Sequence, residues 1–255
     1  MSETSILATP ISFETLEPAS LATMIDHTLL KPEATEADII RLCEQARFYS
    51  FATVCVNPVH VKLCVRELAG SNVKVCTVVG FPLGANVSSI KVSEAQTALN
   101  HGAKEIDMVI NIGALKGGEF FLVQREISDV AHHAHTSRGI CKVIIEAALL
   151  DNDQKVKACE LAKQAGADFV KTSTGFSISG ATPEDVALMR QTVGTKTGVK
   201  AAGGIRTLDD VVRMINAGAN RLGSSSSTKI MQALYEQRGL TQADNAPVTA
   251  EEKGY

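Results

Sequence analysis

The sequence predicts an α/β protein folded as a single (β/α)8 TIM barrel, a closed ring of eight parallel strands jacketed by helices. Three observations carry this. Eight short apolar runs alternate with longer segments of helical pattern along the 255 residues. Near-continuous runs rich in Val and Ile suit parallel strands covered on both faces. A helix-to-strand motif recurs at 101–107, 165–171 and 217–223, each time with Gly-Ala at its second and third positions. Glycine just past a helix end adopts the left-handed conformation without strain. The length matches one barrel of about 250 residues. An open doubly wound sheet is the alternative, but no GxGxxG turn follows the first strand.

Taken in order, residues 1–20 are polar and read as an N-terminal extension. The barrel domain is placed at 21–235. Its strands are expected at 23–27, 52–56, 73–79, 105–111, 140–146, 167–172, 198–202 and 221–224, each a compact apolar run. Helices are expected at 36–49, 88–101, 120–135, 153–165, 183–191 and 208–217. Thr182 followed by Pro183, Glu184 and Asp185 offers an N-cap, a proline in the first turn and acids beside the positive helix end. Thr207 followed by Asp209 and Asp210 repeats the signal. A further helix is expected to open from Gly223–Thr228. The tail, 236–255, is polar with few apolar anchors and is expected to be mobile.

Composition narrows the function. Hydrophobic residues make up 45% and charged residues 21%, which suits a globular chain with a large core. The net charge of −3 gives no broad basic face, so nucleic acid is not an expected partner. The six cysteines, Cys43, Cys55, Cys64, Cys76, Cys141 and Cys159, show no CxxC spacing and sit mostly in apolar runs. They read as buried thiols of a reducing compartment. No basic segment leads into an apolar leader, and no run approaches the ~18 apolar residues of a membrane span. A cytoplasmic location is expected, with no membrane partner.

The chemistry lies in charges that interrupt the apolar strands. Alternation places Glu105, Asp107, Val109 and Asn111 on one face of the fourth strand. Lys142, Ile144 and Glu146 share a face of the fifth, and Phe169, Lys171 and Ser173 a face of the sixth. Lys200 lies in the seventh. An isolated strand lysine usually sits at an end and reaches water. Three on consecutive strands, with Asp107 on the strand before, point instead to one buried network. A neighbouring cation or desolvation frees a lysine amine to attack a carbonyl. The resulting iminium draws electrons from the adjacent carbon, so a C–C bond breaks or forms there. Asp107 is placed to move the protons.

A phosphate site is the second constellation. Ala202–Arg206 follows the seventh strand, and Gly223–Thr228 follows the eighth and opens a helix. Glycines and a helix N-terminus let backbone N–H groups approach an anion. Barrels commonly hold phosphate on these two loops. Thr172 and its neighbours add hydroxyls, and Gly175 adds a flexible turn. Other signals are set aside. His132, His133 and His135 end a surface helix without Cys or carboxylate at ligand spacing, so no metal is expected. Cys55 reads as packing, and His27 as a hydrogen-bonded structural partner as readily as a proton carrier. Lysine chemistry requires no cofactor, and none is expected.

From Ile25 to about Leu234 the chain resembles the deoxyribose-phosphate aldolase family. The matching motifs are IDHTLLKP at 25–32, VCVNP at 54–58, VGFPLG at 79–84, EIDMVIN at 105–111, KVIIE at 142–146, FVKTSTGF at 169–176, VKAAGGIR at 199–206 and GSSS at 223–226. The resemblance implies reversible cleavage of 2-deoxy-D-ribose 5-phosphate to D-glyceraldehyde 3-phosphate and acetaldehyde. It assigns Lys171 as the Schiff-base lysine, Lys200 as the cation that keeps it neutral, and Asp107, with Lys142, as the proton-transfer group. Asp26 and Thr28 correspond to hydroxyl contacts. Gly203, Gly204, Ser225 and Ser226 correspond to phosphate contacts, with Gly175 nearby. The final Tyr255 is similar to a terminal tyrosine that assists proton transfer in some members. The readings to be separated are another phosphate-binding Schiff-base barrel aldolase and a non-catalytic sugar-phosphate sensor. Barrels of this size often pair, so a homodimer is expected.

Overall fold

The computed structural model describes residues 10–240. The chain enters through helix α1 (Pro18–Ala22) and strand β1 (Ile25–Leu29). Then follow α2 (Glu36–Tyr49), β2 (Thr53–Val56), α3 (Val61–Glu67) and β3 (Lys74–Val79). The middle of the chain is α4 (Ser88–Asn100), β4 (Glu105–Val109), α5 (Ile112–Lys116), α6 (Phe120–Thr136) and β5 (Ile140–Ile144). The last third is α7 (Asn152–Gln164), β6 (Phe169–Lys171), α8 (Pro183–Val193), β7 (Gly198–Ala202), α9 (Leu208–Asn216), β8 (Arg221–Ser224) and α10 (Ser227–Gln237).

The eight strands pair in parallel in sequence order, and β8 closes on β1. This is the (β/α)8 barrel that the alternation of apolar runs predicts. Outward-facing strand residues such as Val54, Ile106, Val143, Val170 and Val199 are fully buried against the helices. That two-sided cover is why the strands read as continuous apolar runs. The first strand lies two residues later than the sequence reading, because Thr23 and Met24 close the turn after α1. Gly102, Gly166 and Gly218, the glycines of the repeat, all have positive φ just beyond α4, α7 and α9. Thr182 and Thr207 cap α8 and α9 through Asp185 and Asp210 N–H groups, as their spacing predicts.

The two ends of the described chain meet under the barrel. The Ile11 N–H donates to Asn216 Oδ1 and the Ile11 carbonyl accepts from Asn216 Nδ2, and Leu16 is buried. Arg238 donates to the Glu14 and Leu16 carbonyls and to Glu17. The second half of the extension is thus bound to the barrel, and α10 runs two residues into the segment read as tail. No described helix is long and apolar enough to cross a membrane.

Candidate active site

Register brings the interrupting charges together. Asp107 pairs with Lys142 across β4 and β5, and Lys171 pairs with Lys200 across β6 and β7. All four side chains are essentially inaccessible. Lys171 Nζ donates to Asp107 Oδ2 at 2.8 Å, and Lys200 Nζ donates to the same oxygen at 2.7 Å. Lys142 Nζ takes the other oxygen, Oδ1, at 2.8 Å. Burial alone would push the Asp107 carboxyl up, but Lys142, Lys171 and Lys200 outweigh it and hold the group well below the usual carboxylate range. Burial likewise opposes a charge on Lys200, yet Asp107 and Asp26 raise it and keep it an ammonium. Lys142 is held protonated in the same way, chiefly by Asp107 against burial.

A cavity of ≈ 280 Å³ opens above this cluster. Thr28, Lys171, Gly175, Gly203, Gly204 and Ser225 line it, all of them singled out by sequence. Gly175, Gly203 and Gly204 have positive φ, which turns the loops after β6 and β7 around the space. These loops touch at Gly180 and Gly203: a Cβ at Gly180 would stand 2.1 Å from the Gly203 oxygen. The Ala181 N–H donates to that same oxygen at 3.0 Å. Glu146, in the left-handed conformation at φ 51°, anchors the loop after Lys171 by accepting from the Thr174 N–H and hydroxyl.

Other predicted contacts lie elsewhere. Thr172 faces away from the cavity, and its hydroxyl bridges both the carbonyl and the N–H of Ala202 at 3.1 Å. It fastens β6 to β7 and is not among the residues that line the cavity. Asp26 lies below the cavity, between Lys200 and Arg221. Ser226 sits at the N-cap position of α10 without a side-chain capping bond, and its N–H donates to the Ser224 hydroxyl at 3.0 Å. Tyr255 lies outside the described residues. His135 pairs with Asp168, and His133 faces Gln96, both away from the cavity. His27 bonds Gln45 at 2.8 Å, the structural alternative for that residue. Thiol and carboxylate groups of Cys55, Cys76 and Asp107 cluster closely. The Lys142 ammonium at 3.3 Å from Cys76 Sγ opposes a metal cation there.

Sequence reasoning missed Arg221 and the role of Glu105. Arg221 donates to Asp26 at 2.8 Å and to Glu105 at 3.4 Å, and it lies 5.4 Å from the Phe169 ring centroid. Glu105 in turn meets Lys142 at 2.6 Å. Glu105, Phe169 and Arg221 occupy the fifth position of the three helix-to-strand repeats. Aligning those repeats gives a signal that would have found them. Arg206 at the cavity rim, and Ser177 and Ser179 in the loop after β6, were also not assigned.

Comparison with known proteins places the chain. Residues 20–233 match the model of the DeoC/LacD family of aldolases. A deoxyribose-phosphate aldolase of Bacillus cytotoxicus is 53% identical over 222 residues, covering 87% of this chain and 98% of the relative. One from a Geobacillus species is 56% identical over 213 residues, covering 84% and 95%. The solved tetrameric deoxyribose phosphate aldolase of Aeropyrum pernix is 36% identical with a TM-score of 0.82, covering 87% and 93%.

Proposed function

The chain belongs to the DeoC/LacD aldolase family, and from that premise we propose that it is a class I aldolase cleaving 2-deoxy-D-ribose 5-phosphate reversibly to D-glyceraldehyde 3-phosphate and acetaldehyde. The relatives above carry that activity in their names. One observation carries the reading for this chain: the Lys171 amine stands at the floor of the cavity, beside a second ammonium on the same carboxylate oxygen.

In this reading Lys171 Nζ adds to the C1 aldehyde of the open-chain sugar. The carbinolamine loses water to give a protonated imine. The C3 hydroxyl gives up its proton, the C2–C3 bond breaks, and its electrons pass to the iminium, leaving an enamine. Glyceraldehyde 3-phosphate departs. The enamine is protonated at its carbon, and hydrolysis releases acetaldehyde and the amine. Lys200, held as an ammonium, disfavours a second charge on Lys171. Asp107 reaches Lys171 and, with Lys142 fixing its other oxygen, moves the protons. Backbone N–H groups around Gly203, Gly204 and Ser225 take the phosphate, and Thr28 a sugar hydroxyl. Asp26 acts on Lys200 and Arg221 from below. Tyr255 assists protonation at the acetaldehyde methyl carbon. Its deletion slows α-proton exchange, and unchanged exchange removes it from the scheme.

Six unpaired cysteines support a reducing, cytoplasmic setting. A homodimer is the proposed assembly, read by light scattering. Borohydride reduction in the presence of acetaldehyde tests the chemistry. An ethyl group found on Lys171 by mass spectrometry supports it. No adduct on active-folded protein favours a sugar-phosphate sensor, and a preference for another donor favours a different Schiff-base aldolase.

A further inference from the structure

Seven charged side chains meet inside the barrel. Four are cations, Lys142, Lys171, Lys200 and Arg221, and three are carboxylates, Asp26, Glu105 and Asp107. With every group of this ion-paired set ionised, one positive charge is left over in a buried interior; Glu146, the buried carboxylate near Lys171, lies outside the set, and burial pushes its carboxyl up. An uncompensated buried charge is costly, and the usual relief is loss of a proton. The contacts show where the relief falls. Lys142 faces three carboxylates, Glu105 at 2.6 Å, Asp107 at 2.8 Å and Asp26 at 3.6 Å. Lys200 faces Asp107 and Asp26. Arg221 faces Asp26 and Glu105 and does not deprotonate. Lys171 makes one ion pair among the described residues, with Asp107.

We infer that Arg221 and Glu105 are positioning residues that set the charge balance of this network, so that Lys171 is the amine released from charge. Neither lines the cavity, and both act on Lys171 only through Asp26, Lys142, Lys200 and Asp107. Arg221 supplies the surplus positive charge. Glu105 holds Arg221 and Lys142 in place from the opposite strand and limits that surplus to one. The recurring helix-to-strand unit delivers both residues, since each follows its Gly-Ala by two positions. Three other ionisable groups face the network. Cys55 and Cys76 lie beside Asp107. Glu146 lies near Lys171 with its carboxylate turned onto Thr174.

The inference rests on Lys171 as the Schiff-base lysine, and the test separates the two. The rate of borohydride-trapped imine formation with acetaldehyde is followed against pH in the full chain. Variants are Arg221→Gln, Arg221→Lys, Glu105→Gln and the Gln/Gln double. Cys55, Cys76 and Glu146 are the same in all of them. Arg221→Gln balances the network with Lys171 charged, so the acid limb moves up by about one pH unit, the scale of one charge at this range in protein. Glu105→Gln leaves a larger surplus and moves the limb down by about one unit. The double variant returns it, and Arg221→Lys leaves it in place. Lost packing would shift both single variants alike. Shifts of the same sign, or a fixed limb with a lower plateau, overturn the inference. If Arg221→Gln does not fold, Glu105→Gln decides alone: a limb that stays or rises overturns it. An unsubstituted protein with no adduct on Lys171 counts against the Schiff-base reading instead.

Discussion

Lys171 and Lys200 donate to one and the same oxygen of Asp107, at 2.8 and 2.7 Å. Their nitrogens are therefore no farther apart than those two lengths laid end to end. The register of β6 and β7 dictates this, because the two residues are direct neighbours. Two ammonium groups at that range in a dry interior oppose one another far more strongly than in water. The carboxylate between them fixes which atoms face the cavity.

Replacing Lys200 with Leu removes the second ammonium and leaves Asp107 Oδ2 to Lys171 alone. The Lys171 amine then stays engaged as the charged partner of Asp107. Turnover should fall by about 10²-fold or more, the usual range for a group that tunes a nucleophile. Raising the pH should restore part of the lost rate, because hydroxide then does what the neighbouring ammonium did. Steady-state assays from pH 6 to 10, roughly the span over which amines titrate, check this. Undiminished turnover at neutral pH contradicts it.

The meeting of Gly180 and Gly203 supports a second prediction. Gly180→Ala places a methyl group 2.1 Å from the Gly203 oxygen, where nothing but displacement relieves it. The loops after β6 and β7 must part, and the backbone donors around Gly203 and Gly204 move with them. KM for the phosphorylated sugar should rise by about tenfold while kcat changes little, the pattern of lost uniform binding. Unphosphorylated 2-deoxyribose has no phosphate to lose, so its kcat/KM should stay the same. Equal losses on both substrates would place the phosphate elsewhere.

Much of this was legible because a barrel strand imposes two simple patterns. Continuous apolar runs report helices on one side and a filled interior on the other. A charge inside such a run, as at Asp107, Lys142, Lys171 and Lys200, then has no place but the interior. The loops that hold Gly203, Gly204 and Ser225 followed from their place after the last strands, and the individual residues from the resemblance to the family. Thr172 was misplaced because alternation ends at the strand terminus, where its hydroxyl turns to the Ala202 backbone. Arg221 escaped because it opens its strand, where an exposed arginine is ordinary, and only closure of β8 onto β1 brings Asp26 to it. Short helices such as α5 also escaped, since five residues hold too little periodicity to read.

Lys91 and Glu126 form a buried ion pair at 2.7 Å, outside the site but joined to it. Lys91 also donates to the Val109 carbonyl, and Glu126 accepts from the Asn111 N–H, so α4 and α6 together hold the end of the strand bearing Asp107. Burial pushes the Lys91 amine down and the Glu126 carboxyl up, each toward its neutral form. Glu126→Ala leaves the buried ammonium without its paired carboxylate, with the Val109 carbonyl still accepting from it, and should destabilise the protein by about 3–5 kcal/mol. Lys91→Met with Glu126→Leu should recover most of that loss, since no buried charge remains. Urea unfolding of the three proteins measures it. A double variant as unstable as the single one would mean that shape, not charge, holds the helices.

His27 gives the fold a dependence on acidity that can be separated from catalysis. Its ring lies against Phe51 and bonds Gln45 at 2.8 Å. Burial lowers its pKa from the ordinary 6.5 to about 4, with Gln45 and the Ser224 backbone resisting the fall. The folded value lies below the unfolded one, so the unfolded chain binds the proton first. The stabilising contribution is therefore complete above pH 6.5 and declines as pH falls toward 4. Through that window the residue should account for about 3 kcal/mol. His27→Asn keeps a polar partner for Gln45 and removes the titration, so its urea midpoint should change less between pH 7 and pH 4, roughly the two ends of the window. If the two proteins lose stability in parallel on acidification, His27 is already charged in the folded state, and the barrel floor must hold a counter-charge close to its ring.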